Sequence, residues 1–260
     1  MEARDGYYGH LTSLETSQAA RENSLIVLPL GAIEQHGPHL PIDVDSYLAA
    51  RAAREAVELA RSRHQANVFY LPGVHYGNSF SHIEFPGRIS LSFDTFIAVI
   101  YDILDELAKT GFRKFVIFNG NGGNEVCIMV AVRKLTEKWR SQNIYLRIYK
   151  LGIGDLSSPP MPQGFADKIN SMVPGNDGEI HAGARETSYY LANLEELVRK
   201  DRNVKPETKK VSWINLTLDQ ITNTGSTGDP TKASKEMGIY FWDTVIPVLA
   251  DYLAELSSTD

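Results

Sequence analysis

The sequence predicts an α/β protein, a three-layer α/β/α sandwich around a mainly parallel sheet. Three observations carry that expectation. Short β-branched or aromatic runs alternate with segments of helical apolar spacing. Such an alternation favours right-handed βαβ crossovers, which cover both faces of a parallel sheet with helices. With 260 residues, 43% of them apolar, there is material for a substantial core, and no repeat, low-complexity tract or linker marks a boundary. One domain over 1–260 is expected.

The elements follow in order. "SLIVLPL" (24–30) reads as a buried strand, and 45–63 as a helix. "NVFYLP" (67–72) is a second strand, followed by a helix over 92–109 that Gly111 closes. "KFVIFN" (114–119), a helix over 124–140 and "NIYLRIYK" (143–150) complete the alternation. Residues 151–180, with "SSPPMPQG" and "VPGNDGE", are rich in Pro and Gly and predict loops over one end of the sheet. Helices over 183–200 and 233–256 end the chain.

Charge and composition narrow the function. A net charge of −6 with a pI near 5.7 argues against nucleic acid or anionic membrane as partner, because both require a basic surface. A small-molecule substrate is expected instead. The opening "MEARDGYYGH" lacks the apolar core of a secretory signal, and no run approaches the roughly 20 apolar residues that span a bilayer. A cytoplasmic protein is therefore expected. The single cysteine, Cys127, lies in a helix of apolar pattern and reads as a small buried residue rather than a reactive thiol.

Open α/β sheets bind ligands beyond the carboxyl ends of their strands, and the unusual polar segments fall there. "EQHGPH" follows the first strand, "GVHYGNSFSH" the second and "NGNGGN" the third. In extended chain, Glu34 and His36 project to one side while Gln35 points away. Asp45, at the start of the next helix, either returns a carboxylate to the same place or caps the helix. "NGNGGN" (119–124) fits neither G-x-G-x-x-G nor the P-loop, so a phosphate cradle is the lesser reading. Its glycines let the amides of Asn121 and Asn124 approach a centre closely. In "EIHAGARETSYYLA", Glu186 and Ser188 read equally well as first-turn groups of an amphipathic helix. No G-x-S-x-G elbow supports a serine nucleophile.

Five segments in order, "LPLGAIEQHGPHLPIDVD" (28–45), "PGVHYGNSFSHIEFPGRISL" (72–91), "FNGNGGNE" (118–125), "HAGARETS" (181–188) and "GSTGDPTKASKEMG" (225–238), make the sequence resemble the creatininase family of metal-dependent amidohydrolases. The resemblance implies a three-layer α/β fold, one or two divalent ions (Zn, Mn or Fe) and a homo-oligomer, often a hexamer. By resemblance, Glu34, His36 and Asp45 are metal ligands, with Asp45 as the bridge, and Glu186 completes the site. Most relatives carry His where this chain has Asn121, whose amide oxygen is a weaker ligand. Creatinine hydrolases carry a Glu ligand at the position of Gly123 and a catalytic Glu just before the His that aligns with His181. Here that neighbour is Ile180, with Glu179 one residue earlier, which weighs against creatinine.

The mechanism expected is attack of metal-bound hydroxide on the carbonyl of a small, cyclic amide or a formamide. His181, or Glu179 in second place, protonates the leaving group. His75, Tyr76 and Asn124 contact substrate. The alternatives are a hydrolase that opens a cyclic ketone, such as an oxidised inositol, and a catalytically silent binding protein of the same fold.

Overall fold

The computed structural model describes residues 5–152, 159–173, 181–201 and 217–259. Four strands, β1 (Leu25–Leu30), β2 (Val68–Tyr70), β3 (Lys114–Asn119) and β4 (Arg147–Gly152), form one sheet in the order β2-β1-β3-β4, with every pair parallel. Among the described residues seven α-helices accompany them: α1 (Ser13–Arg21), α2 (Val44–His64), α3 (Phe93–Thr110), α4 (Glu125–Arg140), α5 (Phe165–Met172), α6 (Ala184–Asn193) and α7 (Lys235–Ser258).

The period of two in the strands divides the core. Leu25 and Val27 of β1, with Val116 and Phe118 of β3, pack under α2, α5, α6 and α7. Ile26, Leu28 and Leu30, with Phe115 and Ile117, pack under α1, α3 and α4 on the other face. A central strand buried on both faces must read as continuous apolar sequence, and all six residues of β1 are buried. On α2 the buried positions include Ala49, Ala52, Ala53, Ala56 and Ala60, whose small side chains let the helix lie close to the sheet and to α7.

The strand order also fixes where a site forms. From β1 the chain moves outward to β2 through α2, then crosses back over β1 to β3 through α3. Right-handed crossovers in opposite directions place their helices on opposite faces, as the two core clusters require. The loops leaving β1 and β3 therefore diverge, which opens a crevice at the carboxyl edge between these adjacent strands.

Several expectations need correction. The fourth strand begins at Arg147 rather than 143, because Asn143 takes φ +58° in the turn ending α4 and sheet pairing starts only at Arg147 N–H to Arg113 C=O. The stretch expected as loops over 151–180 contains α5, which buries Phe165 and Ile169, a pair four residues apart on one helical face. The helix expected over 183–200 stops at Asn193, where Leu194 turns to φ −146°, ψ 56°. Asp45 does not cap α2: it lies inside the first turn, buried, behind Asp43. Among the described residues no helix is long and apolar enough to cross a membrane.

Candidate metal centre

The segment after β1 is held on three sides before it reaches its polar residues. Gly31 N–H donates to Val74 C=O, Ile89 N–H to Ile33 C=O, and Glu34 N–H to Ile42 C=O. Glu34 and His36 are thus fixed at the carboxyl edge of β1, and α2 returns Asp45 beside them. From the far end of the chain, His181 and Glu186 arrive at the start of α6. Two triads result: Glu34, His36 and His181, and His36, Asp45 and Glu186. In each, one potential ligand atom per residue lies within 4.8 Å of the others. The sequence residues Glu34, His36, Asp45, His181 and Glu186 do converge.

Hydrogen bonds fix the tautomers. His36 Nδ1 lies 3.1 Å from the Glu34 carbonyl oxygen, so Nδ1 carries a hydrogen and donates it. Nε2 then faces Asp45 Oδ1 at 3.2 Å. A bare nitrogen against a carboxylate is repulsive, so this contact demands a proton or a cation. Burial disfavours the imidazolium, yet Asp45, with Glu186 and Glu34, overrides it and pushes His36 up to about 10. Burial also raises Asp45, which is opposed by His36 and reinforced by Glu34. Asp45 Oδ2 is buried without a hydrogen-bond partner among the described residues. An orphaned carboxylate oxygen beside a nitrogen that needs a positive charge fits a divalent cation.

Glu34 is held from both ends of its carboxylate. His82 Nε2 donates to Oε1 at 2.9 Å, and Asn121 Nδ2 donates to Oε2 at 3.1 Å. Burial acts against ionisation, but the hydrogen bond from His82 and the neighbouring His36 keep Glu34 well below the usual carboxylate range. His181 behaves oppositely: burial, then the neighbouring His36, lowers it and keeps the ring neutral. Its Nε2 donates to the Gln35 carbonyl at 2.7 Å, so Nδ1 turned toward the cluster is an acceptor. This arrangement does not match the proton donor expected of His181.

Other expected residues lie elsewhere or serve differently. Asn124 is buried: its Nδ2 donates to Gly31 C=O and Asn119 Oδ1, and its Oδ1 accepts Asn78 N–H. It ties together the segments that follow β1, β2 and β3 instead of offering donors to a substrate. His75 opens onto a cavity of about 450 Å³ that it shares with Tyr7, Tyr47, Arg51 and Tyr70, and whose walls include none of the cluster. Tyr76 is 49% exposed. Glu179 lies outside the described residues. A Cβ on Gly123 would collide with the Asn78 carbonyl, so this backbone does not admit a ligand side chain there.

Two residues were missed. His82, from the short helical turn Phe80–His82, anchors Glu34. Gln35 does not point away to solvent: Gly37, at φ +68°, bends the chain so that Gln35 Oε1 accepts Gly37 N–H while Nε2 donates to His82 Nδ1 and Gly225 C=O. Strand alternation does not hold beyond Ile33, and only the histidine in "GNSFSH" signalled the first of these partners.

A parallel α/β/α fold whose divergent loops gather two imidazoles and three carboxylates is able to hold divalent metal, and the relatives that match the chain are metal-dependent hydrolases. The sequence profile described as creatinine amidohydrolase matches residues 9–253. The chain belongs to the creatininase family. It is 28% identical to creatinine amidohydrolase of Pseudomonas putida, over 96% of each chain. It is 27% identical to the mycofactocin precursor peptide peptidase of Mycolicibacterium smegmatis, over 94% of this chain and 93% of that one. Among solved structures, a manganese creatininase superposes with a TM-score of 0.84 at 25% identity, covering 98% of this chain and all of the other. A creatininase variant of zinc–zinc type superposes with a TM-score of 0.83 at 25% identity, over 99% and 100% of the two chains.

Proposed function

We propose that this protein hydrolyses the C–N bond of a small amide or formamide, with divalent metal, one ion or two, held in the cluster to which Glu34, His36, Asp45 and Glu186 belong. The observation that supports the reading is His36 Nε2 facing Asp45 at 3.2 Å while Asp45 Oδ2 has no partner among the described residues. A divalent ion bound there would supply Lewis acidity, activating water at neutral pH and polarising the substrate carbonyl. The chain's own part is orientation. His82 and Asn121 prevent Glu34 from rotating, and Gln35 fixes the rings of both His82 and His181. Protonation of the leaving nitrogen falls to Glu179, on the sequence argument alone. Zn and Mn, the ions named for the two creatininase structures, suit this mixed set of nitrogen and oxygen donors.

The test is metal analysis of the purified protein, then chelation and readdition of Zn, Mn or Fe during a screen of formamides and cyclic amides. Bound divalent metal and turnover that falls and returns with it are expected. Glu34→Ala is expected to reduce turnover by about 100-fold or more. Metal-free protein with chelator-insensitive turnover, or Glu34→Ala with unchanged metal content and rate, overturns the reading.

A further inference from the structure

Asn121 and His181 both approach Glu34, and their hydrogen bonds decide which of them can offer an atom to a cation. Asn121 Nδ2 donates to Glu34 Oε2, and Asn121 Oδ1 accepts Gly123 N–H at 2.9 Å. Turning the amide over would set its oxygen against a carboxylate and its NH₂ against an N–H, so both neighbours fix the same orientation. The oxygen that would ligate already gives one of its two lone pairs to the backbone, and the amide edge turned to Glu34 is its NH₂.

His181 is the reverse case. Its Nε2–H is engaged by the Gln35 carbonyl, leaving Nδ1 without hydrogen 3.9 Å from Glu34 Oε1. Gln35 Nε2 also lies 3.3 Å from His181 Nε2, but its two hydrogens go to closer acceptors, Gly225 C=O at 3.1 Å and His82 Nδ1 at 3.0 Å, and the 2.7 Å contact of the ring with the Gln35 carbonyl is the shortest of the set. The backbone of His181 is clamped as well. Its N–H donates to Thr227 Oγ1 at 2.9 Å, and its carbonyl accepts Thr227 N–H at 2.9 Å. The following residue, Ala182, is held at φ +51°, a conformation an alanine adopts only under external constraint. A left-handed alanine, a two-point backbone clamp and a tautomer-fixing carbonyl together aim one bare nitrogen at a carboxylate.

We propose that His181 is a metal ligand through Nδ1, together with Glu34 and His36, and that Asn121 only orients Glu34. This rests on the reading of the cluster as a metal centre and goes beyond it in assigning the donors. His36 belongs to both triads but has one nitrogen to give, because Nδ1 is held by the Glu34 carbonyl. The triads are therefore alternative seats for that nitrogen's ion. One offers two imidazoles and a carboxylate, the other one imidazole and two carboxylates. The nitrogen-rich seat suits Zn, and the oxygen-rich seat suits Mn.

X-ray absorption of the full-length protein loaded with half an equivalent of Zn is the direct test. Scattering from two imidazole rings is expected; scattering from one overturns the assignment. His181→Ala is expected to weaken Zn binding, measured by competition with a chromophoric chelator, by about 10-fold or more, and Asn121→Ala by less. The opposite ranking also overturns it. If circular dichroism finds His181→Ala unfolded, the wild-type spectrum still decides. The outcomes separate the two levels of the argument: wild-type protein that takes up no ion removes the hydrolase reading itself, whereas a bound ion with one imidazole removes only His181.

Discussion

At the scale of single residues, the proton on metal-free His36 occupies the charge that a cation would take. His36 is raised to about 10 and Asp45 to about 7, so an ion binding near neutrality must displace protons from both kinds of group. A raised pKa means that the metal-free site holds its proton at all pH values below it. Affinity is therefore expected to climb with pH, by about tenfold per unit between 7 and 8 and more steeply below 7, where Asp45 also retains a proton. Isothermal titration across that range measures it, and a flat profile counts against the assignment of His36 as a ligand. Much of this centre was legible in the sequence, since Glu34, His36 and Asp45 sit at a strand end where no core needs them. The orienting residues were not. Gln35 reads as solvent-facing until the turn at Gly37 is known, and His82 reaches Glu34 only through a fold that brings residues 48 positions apart into contact.

At the scale of elements, the site depends on how closely helices approach. α6, which carries Glu186, crosses α7 at Gly238, where an added Cβ would run into the Ser188 carbonyl of α6. Ser188 Oγ also accepts Ser234 N–H, so the two helices are joined at the N-terminal end of α7. Gly238→Ala is expected to force them apart, costing about 1–3 kcal/mol of stability in denaturant unfolding and weakening metal binding through Glu186. An unchanged midpoint would mean the crossing has slack that the packing does not suggest. Strand positions were readable because continuous apolar runs have few other uses in a chain of this size. β4 was misplaced because apolar character alone does not register where pairing begins: Ile144 and Leu146 pack against the core before the ladder starts. α5 was hidden by its neighbours, since Pro162 and Gly164 announce a loop while Phe165 and Ile169 supply a two-residue apolar face.

At the scale of the whole molecule, ion and fold are coupled. A ligand that binds only the native state stabilises it by about 2.7 kcal/mol at one hundred times its dissociation constant. For a chain of this size, saturating Zn or Mn is expected to raise the melting temperature of chelated protein by roughly 5 °C or more, read in a thermal-shift experiment. Glu34→Ala is expected to abolish most of that rise; an equal rise in the variant would place the stabilising ion elsewhere. The parallel sheet and the helices covering both its faces were foreseeable from alternation alone, whereas the strand order β2-β1-β3-β4 was not. The convergence of 181–186 on the end of β1 was implied by the family resemblance alone, because nothing local records which loop of a parallel sheet a late helix will cap.

The candidate donors are residues 34, 36, 45, 181 and 186, so the cluster is assembled by the first and last thirds of the chain. A nascent polypeptide still missing α6 has no closed coordination sphere, and a folding intermediate with α6 undocked has none either. Ion uptake at this cluster would therefore report that the two ends of the chain have docked against each other.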